Sequence, residues 1–135
     1  KESSAASDVY KRQDVVYHAA GGTGLGVLQA AADAGILGIG VDKNQNHLQS
    51  GSVLTSMVKR VDVAVYNAFT QGANLTTGFE VMGLGNGGVA YSMDSHNASL
   101  VSAEMLTAVE AAKAKIIAGD IEIHDAMSDN SCPAS

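Results

Sequence analysis

Two charged residues and a glycine turn are the groups in this 135-residue chain best placed to do chemistry. Asp42 closes an apolar run, residues 36–41, and a carboxylate there can accept hydrogen bonds from sugar hydroxyls. Lys59 closes a β-branched segment, residues 53–58, and offers a charged donor at the same rim. Gly21, Gly22, Thr23 and Gly24 sit between an apolar β-type run and an alanine-rich helical pattern, where backbone N–H groups at a helix N-terminus can face a hydroxyl or an anion. Each has a plainer reading: a tight βα turn without ligand, a cap or surface-turn carboxylate, a solvated ammonium. Strand, glycine loop, helix, strand and terminal Asp are also the parts of a dinucleotide fingerprint, and a nicotinamide-dependent oxidoreductase is the alternative function they suggest. The spacing fails at Val27, where the pattern counted from Gly22 needs a third glycine for close helix–strand packing. No Gly-Lys-Ser/Thr follows to make a phosphate loop. His18, His47, His96 and His124 have no ligand spacing, so no metal is expected, and no cofactor either. No general acid–base pair or activated nucleophile is evident, which favours binding without chemistry over an enzyme.

The elements that must hold these groups form a βαβ unit over residues 14–45. Residues 15–17 make the first strand, and a helix over residues 25–34 supplies the crossover that parallel strands require. Gly35 stands where a left-handed C-terminal residue is favoured. Ligands in such units bind beyond the carboxyl ends of the strands, so residues 18–23 and 42–45 should lie side by side at one rim. A third strand is expected over residues 53–58. Asp62 then opens a helix with Val61, Val65, Ala68 and Phe69 on one face and Gly72 after its end. Short strands are expected near residues 79–84 and 89–92, separated by a Gly-Asn-Gly-Gly turn. Ser102 is a credible N-cap for the longest helix, with Glu104 in its first turn. Met105, Leu106, Val109, Ala112, Ile116 and Ile117 form its expected buried stripe, and Gly119 its stop. A last strand over residues 121–123 precedes a polar tail, residues 125–135.

Composition narrows the function classes. A hydrophobic share of 46%, 15 glycines and one proline suit an α/β domain with tight turns. The net charge of −6 offers no basic patch, so no nucleic-acid partner is expected. Cys132, alone in a polar tail, reads as an incidental free thiol. Sequons at Asn74 and Asn97 matter only in a eukaryotic secreted protein. Residues 3–13, SSAASDVYKRQ, read as a translated transposase sequencing adapter, so residues 1–13 are expected to be a non-native assembly scar. On that expectation the natural chain is truncated upstream of Asp14, and a signal sequence, lipid-anchor cysteine or N-terminal lobe would have been lost.

Taken together and in this order, DVVYHAAGGTGLGVLQAA, IGVDKNQ, SVLTSMVKRVDVAVYNAF and GLGNGGVAYS resemble the basic membrane protein family. These are nucleoside-binding substrate-binding proteins of bacterial ABC importers. The resemblance covers nearly everything over residues 14–124 and is to the C-terminal part of such a protein. It implies a type I periplasmic-binding-protein fold, a parallel sheet flanked by helices in two lobes that close on the ligand. It implies that Gly21, Gly22, Thr23 and Gly24 face the cleft with Asp42, and that Lys59 joins Asp42 on the ribose hydroxyls. A carboxylate and an ammonium at neighbouring strand ends suit that task, because charge-assisted hydrogen bonds to a vicinal diol are about twice as strong as neutral ones. The chain departs from the family at Asn44, where an acidic residue is common. The resemblance further implies an ABC permease as partner, a lipid anchor in the parent protein, and a place in the periplasm or on the outer face of a bacterial membrane. Segments after Gln45 would pair partly with strands outside this chain, leaving apolar edges exposed.

Overall fold

The computed structural model describes residues 13–131, which places most of the adapter-like segment and Cys132 outside the described residues. The elements run β1 (Val15–Tyr17), a 3-10 turn (Gly21–Thr23), α1 (Gly24–Asp33), β2 (Leu37–Asp42), β3 (Val53–Lys59), α2 (Val61–Gln71), β4 (Val89–Tyr91), α3 (Ala103–Ala118) and the short α4 (Ala126–Asp129). They build an α/β fold around one four-stranded sheet of order β1-β2-β3-β4. β1, β2 and β3 are parallel, and β4 runs antiparallel to β3.

The βαβ unit forms because its punctuation and its apolar spacing agree. Gly35 takes φ +70°, a left-handed conformation that costs glycine nothing, so α1 can stop there. Gly35 N–H then donates to the Ala32 carbonyl at 3.1 Å and Ile36 N–H to the Ala31 carbonyl at 3.0 Å, closing the helix end and turning the chain into β2. Leu28 and Ala31, three apart on one face, are buried with Val53 of β3 and form the core. The sheet makes room for them with glycine. A methyl group at Gly38 would lie 2.6 Å from Leu28 Cδ2, so the missing side chain in β2 is what lets α1 sit close.

β2 and β3 pair with a slip: Gly38 faces Val53 and Ile39 faces Thr55, which leaves Leu54 as an extra residue in β3. Beyond the bulge the register is regular and sets Asp42 opposite Val58, one residue before Lys59.

The helix ends expected from sequence are present, but the expected burial of the later elements is not. Ser102 Oγ accepts from Met105 N–H at 3.1 Å, and Gly119 at φ +82° ends α3 with the same pair of closing bonds as α1. Yet no residue of α3 is buried. Leu106 and Ile116 are half-buried, while Met105, Val109 and Ile117 are exposed. The physical reason is area: β4 has three residues, and α3 faces it across an open apolar groove of about 120 Å³ between Leu54, Tyr91, Met93 and Val109. The α2 face is likewise uncovered, with Phe69 81% exposed.

Two expected strands are absent. Residues 79–84 form no ladder, because Asn86 folds that segment on itself: its Oδ1 accepts from Gly83 N–H at 2.8 Å and its Nδ2 donates to the Val81 carbonyl at 2.9 Å. Residues 121–123 are also irregular. The Asp120 and Ile121 N–H groups turn back to the Lys115 carbonyl at 2.9 and 3.3 Å instead of joining a ladder. Part of the expected polar tail is helical, in α4.

Candidate functional site

The parallel strands β1 and β2 end on the same side of the sheet, and the glycine turn and the residues after β2 meet there. Gly21, Gly22 and Leu25 line one wall of a shallow concavity of about 280 Å³, and Val41, Asp42, Lys43 and Gln45 line the other. Gly21 has φ +53°, which a residue with a side chain rarely adopts, so the turn brings bare backbone to this wall. α1 begins at Gly24, immediately behind it, and directs the positive end of its dipole toward the same side.

Asp42 and Lys59 stand at the ends of adjacent strands, and Lys59 Nζ lies 2.7 Å from Asp42 Oδ1. The pair is open to solvent, the two side chains being 60% and 52% exposed. The hydrogen bond to Asp42, reinforced by its charge, raises the Lys59 ammonium above the ordinary lysine value. Lys59 is therefore a cation throughout the physiological range, and both partners retain hydrogen-bonding capacity for a ligand.

The other two expected contact residues are differently placed. Thr23 Oγ1 donates to the Ala20 carbonyl at 2.6 Å, which ties the hydroxyl into the turn itself. Gly24 is buried against the His18 ring: a methyl group there would overlap Cε1. His18 is 6% exposed and neither ring nitrogen has a hydrogen-bond partner among the described residues, so the imidazole packs beneath the helix start and Gly24 provides its space. Among the described residues no group of three or more His, Cys, Asp or Glu side chains is arranged to hold a metal ion.

What sequence reasoning missed is the polar layer under this rim. Gln45, Asn46, Ser56 and Asn97 are all buried. Ser56 Oγ donates to Asn46 Oδ1 at 2.8 Å and accepts from Gln45 N–H at 3.0 Å. Asn44 Nδ2 donates to Asp94 Oδ2 at 2.7 Å, and Asn46 Nδ2 donates to the same oxygen at 3.2 Å. The Asn44 bond and the His96 N–H, with Asn46, hold the Asp94 carboxyl below the usual carboxylate range. The signal was the dense run Asn44, Gln45, Asn46 directly after a buried strand, since buried amides must find partners.

A CD4+ T-cell-stimulating antigen of Listeria monocytogenes is 34% identical, over 91% of this chain and 39% of its own length. Basic membrane protein A of Borreliella burgdorferi is 32% identical, over 87% of this chain and 36% of its own length. A solved ABC transporter solute-binding protein of Aeropyrum pernix superposes with a TM-score of 0.75 at 24% identity, over 90% of this chain and 43% of that one, a likeness of fold. The chain thus spans about two fifths of the length of the relatives it matches. Residues 1–127 match the family model for Bmp, the PnrA-like ABC transporter substrate-binding proteins, and the chain belongs to that family of transport components, which are not enzymes.

Proposed function

We propose that the protein containing this chain binds nucleosides at the β2–β3 rim and delivers them to a membrane-bound ABC permease. The observation that carries the reading is the Asp42–Lys59 pair at 2.7 Å beside the concavity lined by Gly21 and Gly22. A carboxylate accepts from two adjacent hydroxyls, an ammonium donates to their oxygens, and the two together match a ribose diol better than a flat base. The glycine backbone opposite brings N–H groups close without side chains between. We further propose that the remaining ligand surface comes from a second lobe outside this chain, and that the parent protein is extracytoplasmic and lipid-anchored, as suits a family that works at the membrane. No helix among the described residues is long and apolar enough to cross a bilayer.

The nicotinamide-enzyme reading is set aside on family membership, and Val27 in place of the third glycine agrees with that. Calorimetric titration of a full-length protein carrying this chain with adenosine, guanosine, inosine and NAD tests the proposal. Binding of at least one nucleoside, with NAD inert, is the expected result. NAD binding without nucleoside binding sinks it.

A further inference from the structure

Asp42 is held in a conformation that its own residue type does not favour. Its φ is +72°, and Lys43 N–H donates to the Val41 carbonyl at 2.9 Å, so Asp42 sits at the centre of a three-residue turn. Aspartate tolerates the left-handed region better than most residues, but such a turn persists only where its surroundings fix it. The fixing group is a side chain. Gln45, three residues after Asp42, is 6% exposed and folds its amide back, so that Oε1 accepts from Val41 N–H at 2.9 Å.

The same residue is fastened to the neighbouring strand. Gln45 N–H donates to Ser56 Oγ at 3.0 Å, and Ser56 lies in β3 three residues before Lys59. Gly40 leaves the space in which this happens. A methyl group there would lie 2.5 Å from Ser56 Oγ, 2.9 Å from Gln45 Cβ and 3.0 Å from Gln45 Oε1. Gln45 thus joins the backbone before Asp42 to the strand that ends in Lys59.

We propose that Gln45 is a positioning residue that sets the aim of the Asp42 carboxylate, and through it the preference for a ribose over a free base. This rests on the nucleoside reading above. Gln45 lines the wall of the concavity, and its amide oxygen turns to the Val41 N–H beside Asp42, the contact through which it acts on the carboxylate.

The test uses the full-length protein with Gln45→Met, which keeps the length and bulk of the side chain and removes the acceptor. The probes are adenosine, guanosine and inosine, each against its free base. For whichever nucleoside the unaltered protein binds, Gln45→Met should weaken nucleoside binding about tenfold, the scale of one lost buried hydrogen bond, and free-base binding less than about threefold. Combined with Asp42→Ala it should cost little beyond Asp42→Ala alone, because both act on one contact. Equal losses for base and nucleoside, or additive losses in the double variant, overturn the proposal. Hydrogen exchange supplies a readout independent of any ligand: the Val41 and Lys43 amides should exchange faster in Gln45→Met. Unchanged exchange at both overturns the positioning role even if the unaltered protein binds no nucleoside, and that last outcome alone counts against the nucleoside reading.

Discussion

Lys59 reaches across from the end of β3 to Asp42 at the end of β2, and the 2.7 Å contact between them spans the rim rather than the core. A pair this open adds little to stability, since water screens it and two mobile side chains must be ordered. It stands at paired strand ends, with Asp42 in a left-handed conformation.

Substitutions at Asp42 separate those two roles. Asp42→Ala should weaken nucleoside binding by about 1.5–3 kcal/mol, the range for hydrogen bonds to a charged group, and leave free-base binding much less affected. Asp42→Gly removes the same carboxylate but suits φ +72°, so it should lose the ligand and keep or raise the thermal midpoint. Calorimetry and thermal melts on the same three proteins check both. If Asp42→Gly melts earlier than Asp42→Ala, the left-handed geometry is not the source of strain.

Lys59 makes a pH prediction. Its folded value is raised by the hydrogen bond to Asp42. A raised cationic group stabilises below its unfolded value, and that contribution is lost as pH rises through the folded value. Any stability and affinity owed to the pair should therefore be constant from neutral pH into the lysine range and decline only above it. Affinity for adenosine, whose base does not titrate in this window, should be flat between pH 7 and 10 on this account, and Lys59→Met should lower it across that whole window.

Glu110 behaves in the opposite sense. Tyr91 Oη donates to Glu110 Oε1 at 2.7 Å, and Lys113 Nζ is 3.3 Å from Glu110 Oε2. The tyrosine hydroxyl first, and the lysine second, hold the Glu110 carboxyl below its ordinary value. A depressed carboxyl stabilises above its unfolded value and loses that contribution as pH falls through the folded one. Acidification through and below the ordinary glutamate range should loosen α3 from β4. Tyr91→Phe should flatten this part of the stability profile, as read by denaturation at a series of acidic pH values.

Core packing gives the largest stability effect. Leu28 is buried between α1 and the sheet, so Leu28→Ala should cost about 2–5 kcal/mol through lost burial and the cavity left behind. Gly38→Ala fills space already taken by Leu28 Cδ2 and should cost about 1–3 kcal/mol. In the pair of changes together, the two losses should partly cancel, because the smaller side chain vacates the space the new methyl needs. Urea midpoints of the three variants check this.

The βαβ unit was legible because local and tertiary signals agree there: Gly35 ends the helix, Leu28 and Ala31 share its inner face, and the strand residues are apolar. The caps of α3 were legible for the same reason. What failed was every inference from apolar pattern to burial beyond Lys59. Val109 and Phe69 have core-type spacing, yet a sheet of four strands offers them too little surface. Residues 79–84 have strand composition, but Asn86 supplies a local partner that a strand would have needed from a neighbour. Residue types singled out Asp42, Lys59 and the glycine turn, which the structure gathers at one rim. Gln45 escaped because a side chain that serves a backbone N–H has no periodic signature.

Asn97 shows what such hidden amides are worth. The register slip leaves Leu54 without a partner across β2, so its carbonyl needs a donor from elsewhere. Asn97 Nδ2 provides it at 2.9 Å, and also lies 3.1 Å from the Ser92 carbonyl, while Asn97 Oδ1 accepts from Asp94 N–H at 2.9 Å. Asn97 is fully buried, so water cannot replace it. Asn97→Ala strands the Leu54 carbonyl in the interior and should cost about 1–3 kcal/mol for the unmet group, with a further loss from the cavity. Asn97→Asp keeps the shape and the acceptor but sets a carboxylate oxygen against two carbonyls, and should cost more than the alanine near neutral pH. Lowering the pH should recover part of the aspartate penalty, since the protonated carboxyl can donate one hydrogen bond, and should leave the alanine penalty unchanged. Urea denaturation of both variants at neutral and acidic pH is the measurement. An aspartate variant as stable as the parent at neutral pH would mean that the Leu54 carbonyl is not closed by this amide, and that the bulge is held by β3 and its neighbours alone.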